Sequence, residues 1–279
     1  MRRGQRGLAA RTQTSIAVSA DGKAWTLVDA SPDLRAQISS APMLQPGAND
    51  PPRSSPIKAV ALTGCEIDQV GGLPNLREAD ALQFHATRFV LESLLESTVF
   101  DALAPQAVTR HAIEVGKPFT PFDRAGLSLT AVSVAGKIPL HLQPSQIYRT
   151  RRGDETVGFV IEDEAGGRRV AYVPGCAGVT DTLRQALAGV DALLFDGTLY
   201  DENEMVQQGL SSKTGTSMGH MYMAGAGGSI ESLHDVAMAR RIFVHLNNSN
   251  PALDETSQER RAVAAAGWEV ATDGMELRL

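Results

Sequence analysis

Residues 57–76, IKAVALTGCEIDQVGGLPNL, decide how the rest of the chain is interpreted. The stretch opens with a short, mostly apolar run at 57–62, which is typical of a buried β-strand. Three polar side chains follow the end of this run, namely Glu66, Asp68 and Gln69. Polar groups at the carboxyl end of a buried strand face the crevice outside the sheet, where α/β proteins commonly bind ligands. The stretch therefore predicts an α/β fold with a polar site at this strand end.

Length and composition limit the classes of protein to which the chain can belong. Its 279 residues are 43% hydrophobic and 21% charged, which is ordinary for a globular protein, and we expect one domain over residues 1–279. The net charge of -6 argues against a nucleic-acid binder. Apolar runs stay well below the roughly 18 residues that a membrane span needs. Two cysteines, Cys65 and Cys176, favour a reducing compartment, so we expect a cytoplasmic protein.

Three further apolar runs end on a polar side chain in the same way. Asp29, Asp196 and His245 each follow such a run directly. Parallel strands would bring these ends together at one edge of a sheet. Because carboxylate and imidazole groups are ligands for iron, manganese and zinc, the strand ends predict a metal or acid–base site. The alternative is that each residue is a cap or turn residue that binds nearby backbone groups.

The loops add further candidates for the site. His220 precedes a glycine-rich run and can act as an acid–base group, because imidazole titrates near neutral pH, or it is an exposed loop residue. Asn247 and Asn248 follow His245 closely and can hold its ring or bind a polar ligand. His141 is a weaker candidate ligand.

Strands and helices alternate along the chain in a pattern that predicts an αββα sandwich, with two inner sheets and outer helices. We expect a helix after residues 71–72, a second one over 229–237 and a short strand at 275–277. Residues 96–125 show no clear periodicity.

Five strings of sequence together resemble the PQQ-biosynthesis protein B family, a branch of the metallo-β-lactamase fold. The strings are ARTQTSIAV at 10–18, DASPD at 29–33, FDGT at 195–198, MGH at 218–220 and HLNNSNP at 245–251. The resemblance extends over nearly the whole chain. It implies the same αββα sandwich and a role in making pyrroloquinoline quinone (PQQ) from a peptide precursor. It further implies an iron-dependent hydroxylase of the tyrosine-derived part of that precursor. The alternative is a non-catalytic carrier of PQQ or its precursor towards the periplasm.

The resemblance also implies roles for individual residues. The first metal motif of the fold, His-x-His-x-Asp-His, falls on Gly64, Glu66, Asp68 and Gln69, so only its Asp is kept. His245 matches the final His of the fold, and Asp29 matches an early Asp at a strand end. Asp196 and His220 take the places of an acidic residue and an acid–base His, which makes them catalytic candidates. The bridging Asp of the fold would fall near Cys176, and no acid is present there.

The implied metal is iron, or else zinc or manganese, held by Asp68, His245, Glu66 and Gln69. Because the amide of Gln69 is a weaker ligand than imidazole, we expect the metal to be bound weakly or not at all. The implied substrate-binding residues are Asn247, Asn248, Arg11 and Asp29. PQQ is a tricarboxylate, so cations can pair with it. The candidates for this pairing are Arg11, Lys137, Arg151 and Arg152.

Family members usually begin with an additional strand and a Cys-x-Cys-x-x-Cys cluster that binds structural zinc. The sequence lacks this region, either because it is lost or because the start is placed too late. We therefore expect no structural zinc and an unpaired sheet edge. The implied partners are other PQQ-biosynthesis proteins and, as a homodimer, a second copy of the chain.

Overall fold

Two β-sheets form the centre of the computed structural model, which describes residues 8–51, 54–79, 81–104, 106–136 and 153–279. The first sheet has five strands in the spatial order β1 (Ile16–Val18), β2 (Trp25–Val28), β3 (Ile57–Ala61), β4 (Leu82–Thr87) and β5 (Val108–Ile113). The second sheet has seven strands, which are β6 (Pro118–Phe119), β7 (Leu127–Ser133), β8 (Val157–Asp163), β9 (Arg169–Val173), β10 (Ala192–Asp196), β11 (Arg240–Val244) and β12 (Glu269–Val270). Their spatial order runs from β12 through to β6.

The helices are short and lie between the strands in sequence. They are α1 (Leu34–Ser40), α2 (Ile67–Val70), α3 (Arg88–Leu95), α4 (Asp181–Leu187), α5 (Glu204–Gln207), α6 (Ser229–Ser232) and α7 (Gln258–Ala265). The strands from β2 to β5 pair in parallel, and so do those from β9 to β12. The polar residues that follow β2, β3, β10 and β11 therefore leave from the same end of each parallel set.

Alternation along the strands separates an inner core from two outer ones. Ala61 of β3 and Leu194 of β10 belong to the core that both sheets share, together with Phe159. Their neighbours face the other way: Val60 packs in the cluster that contains residues of α1 and α3, and Phe195 in the cluster that contains residues of α4 and α7. A period of two on each strand thus places helices on the outer face of each sheet. This confirms the expected αββα sandwich.

The structure corrects three expectations about single elements. The stretch 96–125, which shows no clear periodicity in the sequence, contains β5 and β6. The sequence does not indicate β5, because polar residues occupy the middle of this strand. Helix α6 ends at Ser232, because Nδ1 of His234 bonds the carbonyl of Glu231 at 2.7 Å and competes for a helical acceptor. Residues 275–277 form no strand.

Within the described ranges, the two edge strands of the first sheet are β1 and β5. In the same part of the chain, no helix is long and apolar enough to cross a membrane. His141, Lys137, Arg151 and Arg152 lie outside the described residues.

Candidate metal centre

Asp196 ends β10 and is fully buried. Its Oδ1 accepts hydrogen bonds from the backbone N–H and the hydroxyl of Thr198, at 3.0 and 2.7 Å. Its Oδ2 accepts from the N–H of Cys176 at 2.9 Å and lies 2.8 Å from Nδ1 of His220. These four partners fill the roughly four lone-pair sites of a carboxylate, so Asp196 is suited to orient His220 rather than to bind a ligand. Burial opposes the charged form, but the charge and hydrogen bond of His220 outweigh it and lower the pKa of Asp196.

The hydroxyl of Thr198 joins the two imidazoles of the site. Its Oγ1 lies 3.0 Å from Nδ1 of His220 and 2.8 Å from Nδ1 of His245. The two rings stack, with centroids 5.2 Å apart and planes inclined by 17°. Because both Nδ1 atoms meet one oxygen and the rings are nearly parallel, both Nε2 edges face away from that oxygen.

His245 follows β11 and connects the two sheets across the site. Its Nε2 lies 2.6 Å from Oδ2 of Asp68, which belongs to α2. Burial disfavours the imidazolium, but the hydrogen bond and charge of Asp68, with the charges of Asp196 and Asp29, raise the pKa of His245. The backbone of His245 has φ of 59°, a left-handed conformation that costs a non-glycine residue about 1 kcal/mol or more. The strain lies at a functional position, as is common where the surroundings hold a residue in place.

Gln69 holds the turn that carries Asp68. Its amide oxygen accepts from the N–H of Glu66 at 2.9 Å, and its amide nitrogen donates to the hydroxyl of Thr63 at 2.9 Å. The side chain of Glu66 accepts in turn from the N–H of Gln69, and this reciprocal cap starts α2 at Ile67. The helix expected after residues 71–72 is present as a separate 3₁₀ helix, Leu73–Leu76. A Cβ at Gly64 would lie 2.5 Å from the amide oxygen of Gln69, so the missing side chain leaves room for the cap.

Asp29 supports the same turn through its hydrogen bonds with Thr63. It is fully buried, has φ of 63°, and accepts from the N–H and the hydroxyl of Thr63 at 2.8 and 2.7 Å. Burial raises the pKa of Asp29 to about 7, although both hydrogen bonds favour the carboxylate. The carboxylate is thus engaged with Thr63 and is not open to a substrate.

The structure brings together only some of the residues proposed from sequence. Asp68, Asp196, His220 and His245 meet, whereas Gln69 faces the turn and Glu66 is its N-cap. The amide nitrogen of Asn247 donates to Ser249 at 2.8 Å, and Asn248 is exposed. The guanidinium of Arg11 donates to the carbonyl of Ala271.

Two residues of the site, Thr198 and Asn250, were not predicted from the sequence. Thr198 reads as part of an ordinary Asp-Gly-Thr turn, although it links both histidines. Asn250, whose amide donates to the carbonyl of Gly197 at 2.9 Å, reads as one more loop asparagine. The thiol of Cys176 is buried and has a pKa of about 12, because burial disfavours the thiolate. The thiol of Cys176 donates to the carbonyl of Gly178 at 3.2 Å, and its backbone N–H contributes to the site by donating to Asp196.

The donor set of the site fits a divalent metal ion. Ligand atoms of Asp196, His220 and His245 all lie within 4.8 Å of one another. Because four hydrogen bonds already occupy the oxygens of Asp196, the carboxylate that we assign to the donor set is that of Asp68, 2.6 Å from His245. Imidazole with carboxylate suits iron, zinc or manganese. The part-exposed side chains of Asp68 and His245 give such an ion access from solvent.

Comparison with known proteins identifies the family. A profile described as a beta-lactamase superfamily domain matches residues 24–246. Coenzyme PQQ synthesis protein B of Methylobacterium nodulans is 50% identical over 276 residues, which cover 99% of this chain and 90% of that protein. The chain belongs to the coenzyme PQQ synthesis protein B family.

Solved structures agree with this membership. The crystal structure of Zn²⁺-bound PqqB from Methylobacterium extorquens has a TM-score of 0.93 and 46% identity, covering 99% of this chain and 91% of that one. A diphosphatase of the PhnP family shares the fold alone, with a TM-score of 0.67, 18% identity and coverage of 99% and 88%. As a member of the coenzyme PQQ synthesis protein B family, the chain has the metallo-β-lactamase fold and takes part in coenzyme PQQ biosynthesis.

We expect Gln69 to stabilise the turn around Asp68, so Gln69→Ala should lower the free energy of unfolding by about 1–2 kcal/mol. The same change should weaken metal binding by about tenfold, because groups that hold a ligand in place have effects of this size. Gly64→Ala should act through the same cap, since its Cβ would displace the amide oxygen. Urea unfolding and zinc titration of both single variants and the double variant form the test. Fully additive effects of the two changes would contradict a shared mechanism.

Proposed function

We propose that the chain is a metal-dependent hydroxylase of the tyrosine-derived part of the PQQ precursor. The observation that carries this proposal is a pair of stacked imidazoles, those of His220 and His245, of which His245 lies 2.6 Å from the carboxylate of Asp68. Two histidines and one carboxylate with open positions are the donor set of non-haem iron oxygenases. Asp68, His220 and His245 would hold the ion, and bound iron would supply the activation of dioxygen.

The surrounding residues orient this donor set. Asp196 accepts from Nδ1 of His220 and so turns Nε2 of that ring outward. The second imidazole, that of His245, has its Nε2 directed at Asp68. Asn248, which is exposed and follows His245 by three residues in sequence, carries the amide that we propose for contact with a polar substrate. Assignment of His220 as a metal ligand replaces the acid–base role that the resemblance implies.

The carrier alternative draws on the direct pair between Asp68 and His245, which satisfies both groups without an ion. It needs cations for the carboxylates of PQQ. The guanidinium of Arg11, however, is bound to the carbonyl of Ala271, at the far end of the chain in sequence. Of the four candidate cations, only Arg11 lies within the described residues, and for those residues the geometry supports the hydroxylase better. The homodimer, the single domain and the partnership with other PQQ-biosynthesis proteins stay predictions.

The experiment is anaerobic loading with Fe(II), removal of free metal, and measurement of iron per chain by elemental mass spectrometry. We expect about one iron per chain in the wild type and at least a tenfold loss of retained iron in His220→Ala, because one of three strong ligands is removed. Loaded protein, supplied with the tyrosine-containing precursor, dioxygen and a reductant, should yield a product that is heavier by one oxygen atom.

Three results would count against this function. A wild type that retains no iron yet binds PQQ would support the carrier. Full iron retention in His220→Ala with loss of product would restore the acid–base role to His220. An iron-loaded wild type that leaves the precursor unchanged would reject the proposed reaction.

A further inference from the structure

The hydroxyl of Thr198 is buried at the centre of the candidate metal centre. Its oxygen lies 2.7 Å from Oδ1 of Asp196, 2.8 Å from Nδ1 of His245 and 3.0 Å from Nδ1 of His220. A fourth neighbour is the carbonyl of His245, at 3.1 Å. One side chain thus contacts an orienting carboxylate and both imidazoles.

The donor count of a hydroxyl decides the direction of these bonds. A threonine hydroxyl has one hydrogen and two lone pairs. The shortest contact is to the charged Asp196, and charge-assisted bonds are the strongest, so the hydrogen points there. The hydroxyl oxygen can then only accept from the rings, which requires hydrogen on Nδ1 of His245. His220 likewise carries hydrogen on Nδ1, shared between this oxygen and Asp196.

The backbone around Thr198 is fixed by contacts that do not involve either ring. Its carbonyl accepts from the N–H of Asn247 at 3.0 Å, and the preceding carbonyl, of Gly197, accepts from Asn250 at 2.9 Å. Its N–H donates to Asp196 at 3.0 Å. The hydroxyl is therefore placed independently of the histidines and can impose an orientation on them.

We propose that Thr198 is a positioning residue that fixes hydrogen on Nδ1 of both histidines and so leaves Nε2 as the atom that binds the metal. A ligating histidine generally donates its other N–H to an oxygen that sets its ring orientation. Here a single hydroxyl does this for two rings at once. The inference rests on the proposed function, because it deepens the description of the same site.

The test compares Thr198→Val, which keeps the shape and removes the hydroxyl, with Thr198→Ser, which keeps the hydroxyl. Zinc affinity is measured by competition with a chromophoric chelator. The hydrogen-bearing nitrogen of each imidazole is identified by long-range ¹H–¹⁵N correlation spectra of zinc-loaded protein. In the wild type we expect the hydrogen on Nδ1 of both histidines, which we call the Nδ1–H pattern. We expect the valine variant to bind zinc about 10–100-fold more weakly and to lose this pattern. The serine variant should keep that pattern and stay within about threefold of the wild type.

Ser257→Ala is the matched control, because it also removes one hydrogen-bonded hydroxyl, in this case one that accepts from the N–H of Arg260 at the start of α7. It should shift the urea midpoint without changing zinc affinity. If Thr198→Val does not fold, Thr198→Ala serves in its place. Unchanged zinc affinity and an unchanged Nδ1–H pattern in the valine variant would overturn the proposal. A wild type without zinc affinity would instead reject the metal site, and spectra of the metal-free protein would still test the effect of Thr198 on His245.

Discussion

His245→Gly should remove metal binding almost completely while leaving the stability of the metal-free protein nearly unchanged. The substitution deletes an imidazole that faces Asp68 at 2.6 Å, so metal affinity should fall by about 100-fold or more. The backbone at this position has φ of 59°, which glycine adopts freely and other residues adopt at a cost of about 1 kcal/mol or more. Relief of this strain should offset the loss of a part-exposed ion pair, which is worth about 0–1 kcal/mol.

His245→Ala is the matched control for the strain. Both variants lack the imidazole, but alanine retains the unfavourable left-handed backbone. We therefore expect equal loss of zinc binding and a free energy of unfolding about 1 kcal/mol lower for alanine than for glycine. Isothermal titration with zinc and urea unfolding of both variants provide the measurements. Equal stability of the two variants would show that the backbone at position 245 carries no strain in solution.

The fold could be predicted because most of its buried strands are continuous apolar runs in the sequence. After the exposed Lys58, residues 59–62 are buried on both faces, and so is the later run that ends at Asp196, as parallel strands between a helix layer and a second sheet must be. The edge strand β5 was not predictable in this way. Its middle residues, Thr109, Arg110 and His111, are only partly covered, so its sequence carries no continuous apolar signal.

The candidate site was predictable in its members that follow strands and not in its connections. Asp196 and His245 follow apolar runs, and parallel pairing brings them together. The role of Thr198 depends on where three other side chains point, which no local pattern encodes. Gln69 is a different case. Its spacing of three residues from Glu66 is that of a reciprocal helix cap, which is a local signal. The resemblance to a metal motif instead favoured the interpretation of Gln69 as a ligand.

Asp196→Asn replaces one carboxylate oxygen by an amide nitrogen. We expect it to lower the free energy of unfolding more than any other such isosteric change in the site. Oδ1 and Oδ2 each accept from a backbone N–H, those of Thr198 and Cys176. The amide nitrogen of asparagine must therefore face one of these fixed donors, whichever way the side chain turns. Removing one partner from a buried, charged network costs about 3–5 kcal/mol, and we expect a loss near the lower end, about 3 kcal/mol. Urea unfolding at pH 7 measures it.

Asp29→Asn is the control, because Asp29 is equally buried yet differs in its partners. An asparagine there can present its oxygen to the N–H of Thr63 and its nitrogen to the hydroxyl, which can turn to accept.

The two carboxyls should also differ in their dependence on pH. The pKa of Asp29 is raised to about 7, so the stability that its proton contributes is fully present below the ordinary pKa of 3.8 and is lost as pH rises through about 7. The lowered pKa of Asp196 has the opposite sign, and its contribution is present above 3.8 and lost on acidification. The cost of Asp29→Asn should therefore be small at pH 6, where the native group is mostly protonated, whereas that of Asp196→Asn should stay large there. Similar costs for both variants at pH 6 would contradict the assignment of the two buried carboxyls to opposite charge states.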